Sequence, residues 1–119
     1  MKYLLDTCVL LWALEGNDRK LGKFTTIIND VKNVVFVSIA SYWEIMIKKS
    51  IGKIEIDGDL FLAVNDSGFL WIDIKIAHID YINKLPLIHH DPFDRLLLAQ
   101  SRTEGLKILT RDEKILKYG

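Results

Sequence analysis

The chain has 119 residues, half of them hydrophobic and 27% charged, with a formal net charge of zero. That composition describes one globular domain, residues 1–119, with a single core, and it excludes disordered and collagen-like classes. A neutral total offers no long-range attraction to nucleic acid, so any such contact has to come from a local basic patch.

No apolar run approaches the roughly 18 residues of a membrane span. Asp6 interrupts the N-terminal apolar stretch that a secretory leader would need. The lone cysteine, Cys8, cannot form an intrachain disulfide. A reducing, cytoplasmic interior is the expected setting.

KYLLD, residues 2–6, reads as a short buried strand, and TCVLLWALEG as a helix ending near Gly16. Residues 18–32 are polar, with Leu21, Phe24, Ile27, Ile28 and Val31 at the spacing of an amphipathic helix. VVFVS, residues 34–38, is a second buried strand. A helix is predicted over 39–50, closed by Gly52, and a short one over 59–66. Residues 69–74 read as a third strand and 75–85 as a helix that stops before Pro86. The clearest helix covers 91–104, with Pro92 at its first position and Gly105 just past its end. Residues 107–109 read as a fourth strand, followed by a short helix. Strands alternating with helices predict an α/β fold with a parallel sheet covered on both faces.

Four acids fall where a strand hands over to a helix: Asp6, Glu44, Asp94 and Asp112. In an open parallel sheet those turns meet along one edge. Like charges about 4 Å apart repel by roughly 4 kcal/mol at an effective dielectric near 20, so such a cluster calls for a cation or bound protons. Each acid also has a structural alternative at a helix start, Asp6 least readily, because it directly follows an apolar strand. Ser41–Glu44 and Thr110–Glu113 fit the S/T-x-x-E box, and Asp91 before Pro92 looks like an N-cap. Capping does not explain why all four line one edge.

Oxygen-only ligands suit Mg²⁺ or Mn²⁺. Zinc is disfavoured, since His89 and His90 are adjacent and His78 is remote. His89 and His90 are expected to pack or cap the loop before Pro92, with substrate contact as the alternative, and Cys8 to be a small buried side chain. There is no Gly-rich phosphate loop and no G-x-S-x-G elbow. Metal-assisted phosphodiester hydrolysis is left as the leading chemistry.

YLLDTCVLLWAL, SYWEIMIKKSIGKI, HHDPFDRLLLAQS and LTRDEKILKYG, in this order, resemble the motifs of the PIN-domain family, particularly the VapC-type ribonuclease toxins of toxin–antitoxin pairs. The resemblance spans nearly the whole chain. It implies a three-layer α/β/α sandwich in which Asp6, Glu44, Asp94 and Asp112 line one pocket for Mg²⁺ or Mn²⁺. It further implies endonucleolytic RNA cleavage, with Asp6 and Asp94 as ligands and Asp112 as a direct or water-mediated one. Glu44 would position water or act as an outer base, and Asp91 would be an outer acid. Cys8 stands where a polar residue is common and Ile115 where an aromatic is common; neither change removes an acid.

Thr7 and Thr110 are candidates to hydrogen-bond the carboxylates. Lys48, Lys49, Lys53, Arg95, Arg102 and Arg111 are candidates for a positive wall facing RNA. Residues 39–51 carry more apolar side chains than one core face needs, with Trp12 and Leu14 adding to the excess. A homodimer or a cognate antitoxin helix is the expected cover. Two other readings stand beside the toxin: a PIN nuclease of RNA processing without an antitoxin, and a non-catalytic interaction module.

Overall fold

The computed structural model describes residues 1–119. The elements run β1 (Lys2–Leu5), α1 (Thr7–Glu15), α2 (Asp18–Leu21), α3 (Phe24–Asn29), β2 (Val34–Ser38), α4 (Ile39–Ser50), α5 (Leu60–Asp66), β3 (Leu70–Ile72), α6 (Ile76–Ile82), α7 (Pro92–Thr103), β4 (Lys107–Leu109) and α8 (Glu113–Leu116). The four strands form one sheet in the order β3-β2-β1-β4, and every pairing is parallel.

The central strand explains the layering. Alternate side chains of a strand face opposite sides, and β1 is apolar on both. Leu5 joins a core with Val9, Leu10, Val37, Ile45 and Val64, while Leu4 packs with Ala40, Ile72, Leu96 and Leu97. One helical layer therefore draws on α1, α2, α3 and α5 with Ile45 of α4, and the other on α6 and α7. Leu4 and Leu5 are fully buried, each worth about 1.5–3 kcal/mol relative to exposure. The result is the predicted α/β/α sandwich.

Two local expectations fail. The single helix read over 18–32 is broken into α2 and α3 at Gly22, whose φ of 55° and ψ of −125° leave helical space. Val31 lies beyond α3 and is 97% exposed instead of facing the core. The caps also differ from the sequence boxes. Ser38, not Ser41, caps α4 by accepting from the Ala40 N–H, and Asp112, not Thr110, caps α8. Glu44 thus sits in the second turn of α4, free of any capping duty.

Candidate metal centre

The strand order reverses between β1 and β4, because β1 leads to β2 on one side and β4 returns on the other. A crevice opens at such a switch point, at the carboxyl ends of the strands. Asp6 leaves β1 there, with its N–H donating to Leu109 O of β4 at 3.1 Å. A cleft of about 360 Å³ is lined by Asp6, Thr7, Cys8, Glu44, Asp91, Asp94 and Asp112, with Trp12, Lys48 and Arg111 around them. The four acids come from the β1–α1, α4, α7 and β4–α8 segments.

Each acid is held by named donors. Asp6 Oδ1 accepts from the Val9 N–H at 2.7 Å, capping α1, and Thr110 Oγ1 donates to Asp6 Oδ2. Thr7 Oγ1 donates to Glu44 Oε1 at 2.7 Å, and Lys48 Nζ lies 3.0 Å from Glu44 Oε2, one turn along α4. Asp91 caps α7 through the N–H groups of Phe93 and Asp94. Asp112 Oδ1 accepts from Lys114 N, leaving Oδ2 toward the cleft side occupied by His89. Capping and clustering therefore coexist in the same side chains.

The electrostatics are those of crowded, desolvated anions. Burial pushes the Asp6 carboxyl up, the charges of Asp112 and Glu44 add to this, and the Thr110 and Val9 donors oppose it. Asp94 is pushed up to about 6, first by burial and then by Asp91, against the pull of His89. The Lys48 ammonium is held up chiefly by its hydrogen bond to Glu44.

The donor set fits a hard divalent cation. Asp94 and Asp112 offer carboxylate oxygens within 4.8 Å of each other, beside the His89 imidazole, Asp94 Oδ1 has no hydrogen-bond donor, and all the acids supply only oxygen. Asp6, Asp94 and Asp112 would hold such an ion, with Glu44 beyond them.

Several sequence candidates lie elsewhere. Arg95 does not line the cleft; its guanidinium donates to the carbonyls of Ile82, Pro86 and His89 and to Tyr118 Oη. Arg102 donates to Tyr118 O. Arg111 reaches the cleft but is committed to Lys20 O and Leu21 O, above the Phe24 ring. Lys49 and Lys53 are exposed and outside the cleft lining. Only Lys48 joins the site with its charge directed at an acid.

Cys8 is exposed on the cleft wall instead of buried; partial desolvation, then the Asp6 charge, pushes its thiol up. His89 was assigned to loop packing, yet it is buried at the site with Nε2 2.7 Å from Asp94 Oδ2 and 3.7 Å from Asp112 Oδ2. The only sequence signal was its place two residues before an N-cap. His90 is exposed, and His78 is buried against Glu104, away from the cleft.

Compared with known families, the chain matches the PIN domain over residues 3–119. The chain belongs to the PIN-domain family. PIN domains are generally nucleases, which agrees with an acidic cleft at the switch point. The fold of this PIN domain is also similar to VapBC2 from Rickettsia felis, solved bound to a DNA fragment from their promoter. The TM-score is 0.74 at 18% identity, covering 99% of this chain and 93% of that one. Among curated proteins no significant match is found. No helix of this PIN domain is long and apolar enough to cross a membrane.

Proposed function

We propose that this PIN domain is a Mg²⁺- or Mn²⁺-dependent endoribonuclease of the cytoplasm, the toxin of a toxin–antitoxin pair. The observation that carries the reading is the convergence of Asp6, Glu44, Asp94 and Asp112 on one cleft with Lys48 at its wall. A bound Mg²⁺ or Mn²⁺ would supply Lewis-acid polarisation of a phosphodiester and of a water. Glu44, gripped by Thr7 and Lys48, would orient that water and accept its proton. Lys48 would contribute positive charge against the RNA backbone, a contact that rising salt weakens.

The antitoxin half of the reading is supported by the shared fold with VapBC2 and by an apolar stripe on α4. Ile39, Trp43, Ile47 and Ile51 recur every fourth residue and are all exposed, a surface suited to an amphipathic partner helix or to a second copy of the chain.

Asp6→Asn keeps the shape and the caps but removes a ligand charge. Mn²⁺-dependent cleavage of RNA should fall by more than about 100-fold with the melting curve intact. A folded variant cleaving at the wild-type rate would overturn the metal-nuclease reading. Co-purification with the product of a small adjoining reading frame would favour the toxin over an RNA-processing nuclease.

A further inference from the structure

We infer that His89 is a positioning residue of the metal centre: its Nε2–H fixes the Asp94 carboxylate so that Oδ1 is presented to the cation. The inference rests on the proposed metal site and assigns within it a role to a residue outside the four acids.

The geometry runs from backbone to carboxylate. The His89 main chain is gripped at both ends, its N–H donating to Tyr118 Oη at 2.9 Å and its carbonyl accepting from Arg95 Nη1 at 3.3 Å. The same guanidinium holds Ile82 O and Pro86 O. The loop between α6 and α7 is thus latched onto α7 and Tyr118. The ring it carries is 8% exposed as a residue and has little freedom to turn. Nδ1 faces the Asp91 N–H at 3.4 Å, which leaves Nε2 to carry the proton. Nε2 lies 2.7 Å from Asp94 Oδ2, a distance typical of a charge-assisted bond.

Asp94 has two oxygens, and His89 takes one of them. The other has no protein donor, so the carboxylate is presented to the cleft by one defined oxygen instead of rotating between two. Ligating carboxylates held this way lose about 10–100-fold in metal affinity when the outer partner is removed. The 3.7 Å separation from Asp112 Oδ2 places the same imidazole beside a second acid.

The test is calorimetric titration of Mn²⁺ into wild type, His89→Ala, His89→Gln and Tyr118→Phe. Glutamine retains an N–H at the place of Nε2. The expected result is a dissociation constant weakened at least about tenfold in His89→Ala and restored to within about threefold of wild type in His89→Gln. Tyr118→Phe, which releases the His89 backbone without touching the cleft, should weaken Mn²⁺ measurably; it also serves if the alanine variant does not fold. The Km for RNA should stay near wild type while kcat at limiting Mn²⁺ falls. Folded His89→Ala or Tyr118→Phe with wild-type Mn²⁺ affinity would overturn the assignment, as would a glutamine variant no better than alanine. Wild type that binds no Mn²⁺ would overturn the metal site itself, a distinct result from wild-type binding that ignores His89.

Discussion

Replacing Asp94 with asparagine should stabilise the metal-free protein. The carboxyl is pushed from its ordinary 3.8 to about 6, which at ~1.36 kcal/mol per pH unit is a penalty of up to about 3 kcal/mol on the charged form. The sign follows from proton linkage. A raised acid binds its proton more tightly in the folded state, so its stabilising contribution is full below about 3.8 and is lost as pH rises through 6.

Asparagine carries no charge and its side-chain oxygen can still accept from His89. In EDTA at pH 7.5 the variant should therefore gain 1–3 kcal/mol, roughly 4–10 °C in Tm for a domain of this size. Wild type should recover about half of that difference on acidification to pH 5 and most of it by about pH 4, whereas the variant should not. Millimolar Mn²⁺ should reverse the advantage, because wild type gains about 2.7 kcal/mol at a hundredfold excess over the dissociation constant and the variant has lost a ligand charge. Thermal melts of both proteins at two pH values, with and without Mn²⁺, decide it. A first-turn acid serving only the helix dipole would cost about 0.3–1 kcal/mol when removed, in both conditions. A variant less stable than wild type in EDTA, with an unchanged Mn²⁺ response, would refute the reasoning.

Arg95→Met removes donors to three carbonyls and a phenol and should cost about 2–4 kcal/mol, read as a lower urea midpoint; a surface RNA contact would change stability by no more than about 0.5 kcal/mol. Trp43→Glu places a charge in the exposed α4 stripe and should abolish self-association or antitoxin capture while Mn²⁺ affinity holds, as light scattering and pull-down would show. Full association by that variant would move the partner surface elsewhere.

The alternation of strands and helices and the edge on which the acids meet were legible because β1, β2 and β4 are apolar enough to be buried on both faces, and because Pro92 and Gly105 punctuate α7; the spatial order of the strands was not. Gly22 was the first miss. Leu21 and Phe24 keep helical spacing across it, so the period alone does not show that the backbone turns to a positive φ between them. Side-chain commitment was the second. Arg95 follows Asp94 in sequence, but neighbours on a helix point about 100° apart, and the carbonyls that claim the guanidinium belong to a loop whose path no local pattern encodes. His89 was missed for the same reason, since its role depends on Tyr118 and Asp94 closing around it. Glu44 was read as a site acid with a capping alternative, because Ser41 matches the box; Ser38, at the end of β2, caps the helix instead and removes that alternative.

The contact between Thr110 and Asp6 spans 104 positions of the chain. During synthesis at about 5–20 residues per second, Asp6 waits some seconds for its partner to be made. Until β4 docks beside β1, the Val9 N–H is Asp6's only donor here, and Asp112 and its cap do not exist. The acidic cleft is therefore assembled only once Asp112 has been made. Whatever chemistry the cleft performs is withheld from the nascent chain until then.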